Sequence, residues 1–241
     1  MSHFTVLVIG EDVEKLLAPY DENLEVEPYK NYLSDRDIER IVGHYAKANR
    51  TVSKDNLQSL LPFMKDWCNE EGYIDAEGLY AWSTSNKKHR WDWYEIGGRW
   101  QGSLRLKPGG EGKSGSASSL IENHIYRPEY VDQARFKHID WSYMRNEPEA
   151  LLNLKLQWKN DQEYHRKLYS TEEGYIRQNM TFRTYAVLTE DGIWHAVGEM
   201  GWFGASSESA DEEKKWVENF WETFLEGLDG DTLLTFVDCH I

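Results

Sequence analysis

Two stretches of the chain are apolar at nearly every position. Residues 4–10 read FTVLVIG and residues 232–241 read TLLTFVDCHI. A segment with no polar side to turn to water predicts an inner strand, buried on both faces. One such strand near each end predicts neighbours in the middle of one sheet. Helical spacing appears between them. After Ser34, an N-cap with Asp37 three residues on, Ile38, Ile41, Val42 and Tyr45 recur at i, i+3, i+4, i+7. A second helix is predicted from Ser53, with Leu57, Leu60, Leu61, Met64 and Cys68 on one face and a kink or break at Pro62. Near the end, Trp216, Val217, Phe220, Trp221, Phe224 and Leu225 form one stripe, opposed by Glu212, Glu213, Lys214, Glu218 and Glu222, and Gly227 stops the helix.

Strand signals fill other stretches. TFRTYAVLT and IWHAVGEM, joined by Glu190-Asp191-Gly192, read as a β-hairpin. Leu104 and Leu106 alternate with Ser103, Arg105 and Lys107. PGGEGKSGSASS, residues 108–119, is the low-complexity segment and predicts a mobile loop. Residues 120–180 are polar and read as mostly helical, with Pro148 in a first turn and Ala150, Leu151, Leu154 and Trp158 on a buried face. The pattern predicts an α+β fold. A central, mainly antiparallel sheet holds both termini as inner strands, amphipathic helices cover it, and a single domain spans 1–241 with 120–180 as a helical insertion or subdomain.

Composition narrows the function classes. The 241 residues include eleven tryptophans, enough for a large aromatic core, and the formal net charge is −15. Such acidity opposes direct binding to nucleic acid and suits either plain solubility or attraction to a basic partner. Seven carboxylates crowd residues 11–27. The two cysteines, Cys68 and Cys239, point to reduced thiols, with Cys68 expected as a small core residue. The start, MSHFTVLVIGEDVEK, lacks the basic and long apolar regions of a secretory signal, and no apolar run reaches the ~18 residues of a membrane span. A cytoplasmic protein that neither enters membranes nor needs a cofactor is expected; a homo-oligomer is left open.

Catalytic signals are thin. Gly112-Lys113-Ser114 ends like a phosphate-binding loop, but residue 107 is lysine where the pattern needs glycine, and no helix pattern follows. The eight histidines are scattered, without metal-ligand spacing. Asp238 and His240 share a strand face and could reach His195 or Glu199 of the hairpin if the strands pair. No nucleophile elbow or catalytic cysteine context is present, so no catalytic and no metal-binding residue is assigned.

The segment WDWYEIGGRWQG, residues 91–102, remains. In an extended chain Trp91, Trp93 and Glu95 share one side. Gly97-Gly98 marks a bulge or a close approach, and Arg99 projects beside Trp100. Stacking rings beside a guanidinium suit a planar, anionic, nucleotide-like guest. A second aromatic–glycine cluster, GEMGWFGAS, could wall the same pocket. The candidate ligand-binding set is therefore Trp91, Trp93, Arg99, Trp100, His195, Glu199 and Trp202. The competing reading is an aromatic strand packed in the core, with Arg99 paired to an acid.

TVLVIG followed by APYDEN, WDWYEIGGRW, GEMGWFG and the C-terminal VDCHI together resemble a family of uncharacterised bacteriophage and prophage proteins. The resemblance covers both ends and the middle of the chain, and is weaker over 108–180. It implies a phage accessory protein that acts on host machinery or antiviral defence by binding; with the aromatic–arginine segment, the expectation is a protein that binds and neutralises a host or antiviral-defence factor, in its more specific form by sequestering a nucleotide-like signal. The alternatives are an acidic inhibitor of a host protein that handles nucleic acid, and a nucleotide-processing hydrolase using His195, Glu199, Asp238 or His240.

Overall fold

The computed structural model describes residues 2–46, 52–117, 128–145, 148–180, 182–201 and 205–241. In chain order the strands are β1 (His3–Ile9), β2 (Tyr29–Tyr32), β3 (Gly72–Ile74), β4 (Leu79–Ser83), β5 (Trp93–Gly98), β6 (Leu104–Arg105) and β7 (Gly112–Lys113). They continue with β8 (Ser116–Ala117), β9 (Tyr130–Val131), β10 (Gln133–Arg135), β11 (Ala186–Leu188), β12 (Trp194–Ala196) and β13 (Leu233–His240). The α-helices are α1 (Val13–Leu17), α2 (Asp35–Ala46), α3 (Leu61–Cys68), α4 (Trp141–Arg145), α5 (Pro148–Asn160), α6 (Gln162–Tyr169), α7 (Glu172–Met180) and α8 (Ala210–Phe224). The chain groups into two compact units, residues 1–22 with 88–241, and residues 23–87. Residues 120–180, expected as an insertion, belong to the first unit.

The first unit is built on an eight-stranded sheet in the order β12-β11-β1-β13-β10-β7, with β5 also on β13 and β8 on β5. The fold is α+β and the sheet mainly antiparallel; β1–β11 and β5–β8 are its parallel pairs. The two apolar runs lie side by side in the interior, antiparallel from His3↔His240 to Ile9↔Leu234. Ser2 and Ile241 extend the ladder by exchanging two backbone hydrogen bonds of 3.0 Å.

Strand alternation sends these residues to two separate cores. Leu7, Ile9, Val187, Leu234 and Phe236 pack with Phe220, Phe224 and Leu225 of the α8 region. Phe4, Val6, Val8, Ala186, Leu188, Val237 and Cys239 pack on the opposite face with Val13, Leu17 and Trp91. Helix α8 starts at a complete capping box. Ser209 Oγ accepts the Glu212 backbone N–H, and the Glu212 carboxylate accepts that of Ser209.

The free edge of β13 is shared. Residues 233–235 pair with β10 and residues 237–240 pair with β5. The sheet therefore forks at Phe236, whose N–H donates to the Asp132 carbonyl at 2.7 Å. Several expectations are corrected around this fork. Residues 130–135 supply strands rather than helix, because Val131 and Ala134 are core residues. Up to residue 117 the glycine-rich segment is paired rather than loose. Gly112 and Gly115 lie so close to the backbone of Gln133 and Ile96 that a Cβ would meet carbonyl oxygens at 2.7 and 1.9 Å. Residues 118–127 lie outside the described residues. The helical part begins at Trp141, and α5 to α7 close around Trp158, whose ring stacks on His165 at 5.8 Å.

The unit of residues 23–87 is a three-stranded antiparallel sheet, β2-β4-β3, with α2 and α3 on one face. Ile41, Tyr45, Leu60, Met64, Leu79 and Ala81 form its core. Ser34 caps α2 as predicted, accepting the Asp37 N–H at 3.2 Å. The helix expected from Ser53 is divided just before Pro62. The proline stands in the first turn of α3, where a missing N–H costs nothing, and residues 57–59 form a separate 3-10 turn. Cys68 ends α3 exposed, not in the core.

Candidate functional site

The candidate segment is bent where extended geometry was expected. A bend at Asp92 separates Trp91 from β5, so Trp91 and Trp93 do not share a side. Trp91 is core. It is 7% exposed, donates Nε1–H to the Leu17 carbonyl at 3.3 Å, and meets Tyr94 edge-on at 5.0 Å. Trp93 lies half-exposed on the α8 side of the sheet, where its ring meets His3 at 6.1 Å and His240 at 6.5 Å.

After Ile96 the chain turns away from β13 at the fork. Gly97 and Gly98 take φ of 81° and 52°, and a Cβ on them would meet Asp132 Oδ2 at 2.7 Å and Asp238 Oδ2 at 2.5 Å. Those two aspartates are buried, and both are used. Asp238 Oδ2 accepts the Arg99 backbone N–H at 2.9 Å. Asp132 Oδ1 accepts from Gly102 N–H at 2.7 Å and Oδ2 from Gly115 N–H at 2.8 Å. The GGRWQG turn is thus folded over two carboxylates that take up its backbone donors. Two of its side chains diverge. Arg99 is exposed, whereas Trp100 packs inward against the α8-side core.

Trp100 forms part of an open cleft of about 520 Å³. Thr5 and Phe236 contribute from β1 and β13, Trp100 and Ser103 from the turn, and Phe182 to Tyr185 from the approach to β11. Val197, Glu208, Glu213 and Trp216 complete it. Its walls are fixed by hydrogen bonds. Trp216 Nε1–H donates to the Thr184 carbonyl at 2.8 Å, and Tyr185 N–H donates to Thr5 Oγ1 at 3.0 Å. The Tyr185 hydroxyl lies 2.5 Å from Ser206 Oγ, which in turn bonds the Glu208 carboxylate. Burial pushes the Arg183 guanidinium down from its ordinary value, opposed by the charge of Glu213, and burial raises the Tyr185 phenol. The cleft therefore combines two indoles, three further aromatic rings, one half-buried cation and two carboxylates.

Of the described candidate residues, only Trp100 lines this cleft. His195 is in β12 with its ring 5.2 Å from Phe224. Glu199 is exposed, its backbone N–H bonded to Ser207 Oγ at 2.8 Å. Trp202 lies outside the described residues. The cation in the cleft is Arg183 rather than Arg99. Sequence reading passed over Arg183, Tyr185, Glu208 and Trp216. The one signal in the pattern was a lone arginine inside an otherwise uncharged hairpin arm.

Asp238 and His240 do share a face, but they do not reach His195 or Glu199. Asp238 Oδ1 bonds His3 Nδ1 at 2.8 Å, and Asp92 Oδ1 bonds His240 Nδ1 at 2.6 Å, with the two imidazoles 4.9 Å apart. A carboxylate only accepts, so each Nδ1 carries the proton and each ring is held in one tautomer. Among the described residues, no group of three or more His, Cys, Asp or Glu side chains is placed to hold a metal ion. No described helix is long and apolar enough to cross a membrane. Comparison with known protein families, with curated proteins and with solved structures finds no match for this chain.

Proposed function

We propose that the protein is a binding protein, not an enzyme, which captures a small nucleotide-like ligand by its planar ring in the cleft between Trp100 and Trp216. One observation carries this reading. The Trp216 indole N–H and the Tyr185 hydroxyl in the wall of the cleft are already bonded within the fold, which leaves a slot of fixed aromatic rings among polar side chains, with the Arg183 guanidinium at its side. Rings held rigidly in advance lose little entropy when a flat guest stacks on them. The charge pattern refines the guest. Glu208 and Glu213 line the cleft together with Arg183, so a chain of phosphates is repelled, and a nucleoside or a singly phosphorylated nucleotide fits best. Together with the resemblance of its motifs to phage and prophage proteins, this supports a phage accessory role: removal of a nucleotide-like signal used by a host or antiviral-defence factor.

Isothermal titration calorimetry of the full chain against nucleosides, nucleoside monophosphates, cyclic nucleotides and ADP-ribose tests the reading. Binding of a nucleoside or a monophosphate, abolished by Trp100→Ala, is expected. Heat-silent titrations across the whole panel with folded protein would overturn it.

A further inference from the structure

The three-stranded sheet of residues 23–87 has a face that its helices do not cover. Register places Lys30 opposite Trp82, and Tyr32 and Tyr73 on either side of Tyr80. Alternation sends Leu79, Ala81 and Ile74 toward the helical core, so Lys30, Tyr32, Tyr73, Tyr80 and Trp82 share the other face. The rings form one continuous platform. Tyr73 stacks on Tyr80 at 5.6 Å, Tyr32 lies 5.3 Å from Tyr80, and Trp82 meets Tyr80 edge-on at 6.0 Å. Tyr73 and Trp82 remain 41% and 45% exposed, unusual for large rings with neighbours to pack against.

Carboxylates border this platform. The Tyr32 hydroxyl donates to Asp75 at 2.9 Å and the Tyr73 hydroxyl to Glu71 at 3.3 Å, and Glu70 and Glu77 are exposed nearby in the chain. The negative field is felt by the phenols. Glu71 is the first cause of the raised Tyr73 value, followed by partial burial. Partial burial and then the bond to Asp75 push Tyr32 up to about 12. The face already seats one cation of its own. The Lys30 ammonium lies 4.8 Å from the centre of the Tyr80 ring and 2.5 Å from Asp75.

We infer that this aromatic face is a docking surface for a protein segment bearing arginines. A guanidinium plane stacks on an exposed Tyr or Trp ring and directs its N–H fork at a neighbouring carboxylate; Tyr73 with Glu71 offers that pair, and Trp82 a further ring. Single-stranded nucleic acid would also stack on such rings, but its phosphates would meet the acidic border. This surface is independent of the cleft reading and stands or falls without it.

The test uses the full chain with three fluorescently labelled probes: an arginine–glycine repeat peptide, the same peptide with citrulline for arginine, and oligothymidylate. Because an acidic protein attracts any cation loosely, the deciding variants are Tyr73→Ala and Trp82→Ala, which leave net charge unchanged. The arginine peptide is expected to bind, with affinity reduced about tenfold or more by Tyr73→Ala with Trp82→Ala and by citrulline. Glu71→Gln, which leaves every ring in place, is expected to weaken it less. Circular dichroism of each variant checks the fold. Failure of the arginine peptide to bind, equal binding of the citrulline peptide, indifference to loss of both rings in folded protein, or preference for oligothymidylate would each overturn the inference.

Discussion

Asp238 receives the backbone N–H of Arg99 at 2.9 Å from a position only 1% exposed, so an inner strand holds down the turn that carries Trp100. The same carboxylate holds His3 Nδ1–H at 2.8 Å. Asp238→Ala strips two partly buried donors of their acceptor, and a loss of about 2 kcal/mol is expected, read as a lower urea midpoint with unchanged slope.

Two glycines give opposite expectations. Gly98→Ala places a methyl 2.5 Å from Asp238 Oδ2 at a φ of 52°, and a cost above ~2 kcal/mol follows from strain and collision together. Gly43 lies within α2 with open space where a Cβ would project, so Gly43→Ala should raise stability by about 1 kcal/mol. Chemical denaturation of both variants checks the pair.

Charge in the cleft sets ligand choice. Glu213 offsets Arg183, so Glu213→Gln should tighten binding of a nucleoside monophosphate by about two- to fivefold at low salt, while leaving the uncharged nucleoside unaffected. Calorimetry at two ionic strengths separates the outcomes.

The Lys30–Asp75 pair gives a pH signature. The bond from Lys30 is the main cause that holds the Asp75 carboxyl at about 2, below its ordinary 3.8. A depressed carboxyl stabilises the fold fully above 3.8, and this contribution disappears as pH falls toward about 2. Asp75→Asn should therefore flatten the acid limb of the stability profile in that window. A nuclear magnetic resonance titration of the Asp75 carboxyl carbon should find its midpoint near the lower bound.

The two thiols differ in access. Cys68 is exposed, whereas Cys239 is fully buried and burial pushes its thiol well above the ordinary value. A disulfide-exchange reagent should modify Cys68 in native protein and reach Cys239 only after denaturant is added.

The central strands and α8 were legible because burial on two faces, or on one stripe, writes itself into local periodicity. The fork was not. Its logic lies in Asp132 and Asp238, isolated acids whose partners are backbone N–H groups of Arg99, Gly102 and Gly115, and backbone donors leave no trace in side-chain pattern. For the same reason Gly110, Gly112 and Gly115 read as looseness when they mark tight approach. Trp91 was misplaced because alternation was carried through a bend at Asp92. The cleft escaped notice because Thr5, Arg183 and Trp216 are distant in the chain and only strand order brings them together. In the second unit, the platform of Tyr73, Tyr80 and Trp82 depended on register across three short strands.

The placement of β13 governs how the molecule can be made. Among the described residues β5 and β10 join β1 only through this strand, so before residues 233–240 are made β5 has β8 and β10 has β7 as partners, but neither pair is joined to β1. Val237 and Phe236 then enter between β1 on one side and β5 and β10 on the other, and join the two parts of the sheet. Assembly of the main sheet is consequently delayed until nearly all of its other strands have been synthesised, and the unfinished chain must be kept from pairing its open strand edges with other molecules in the meantime.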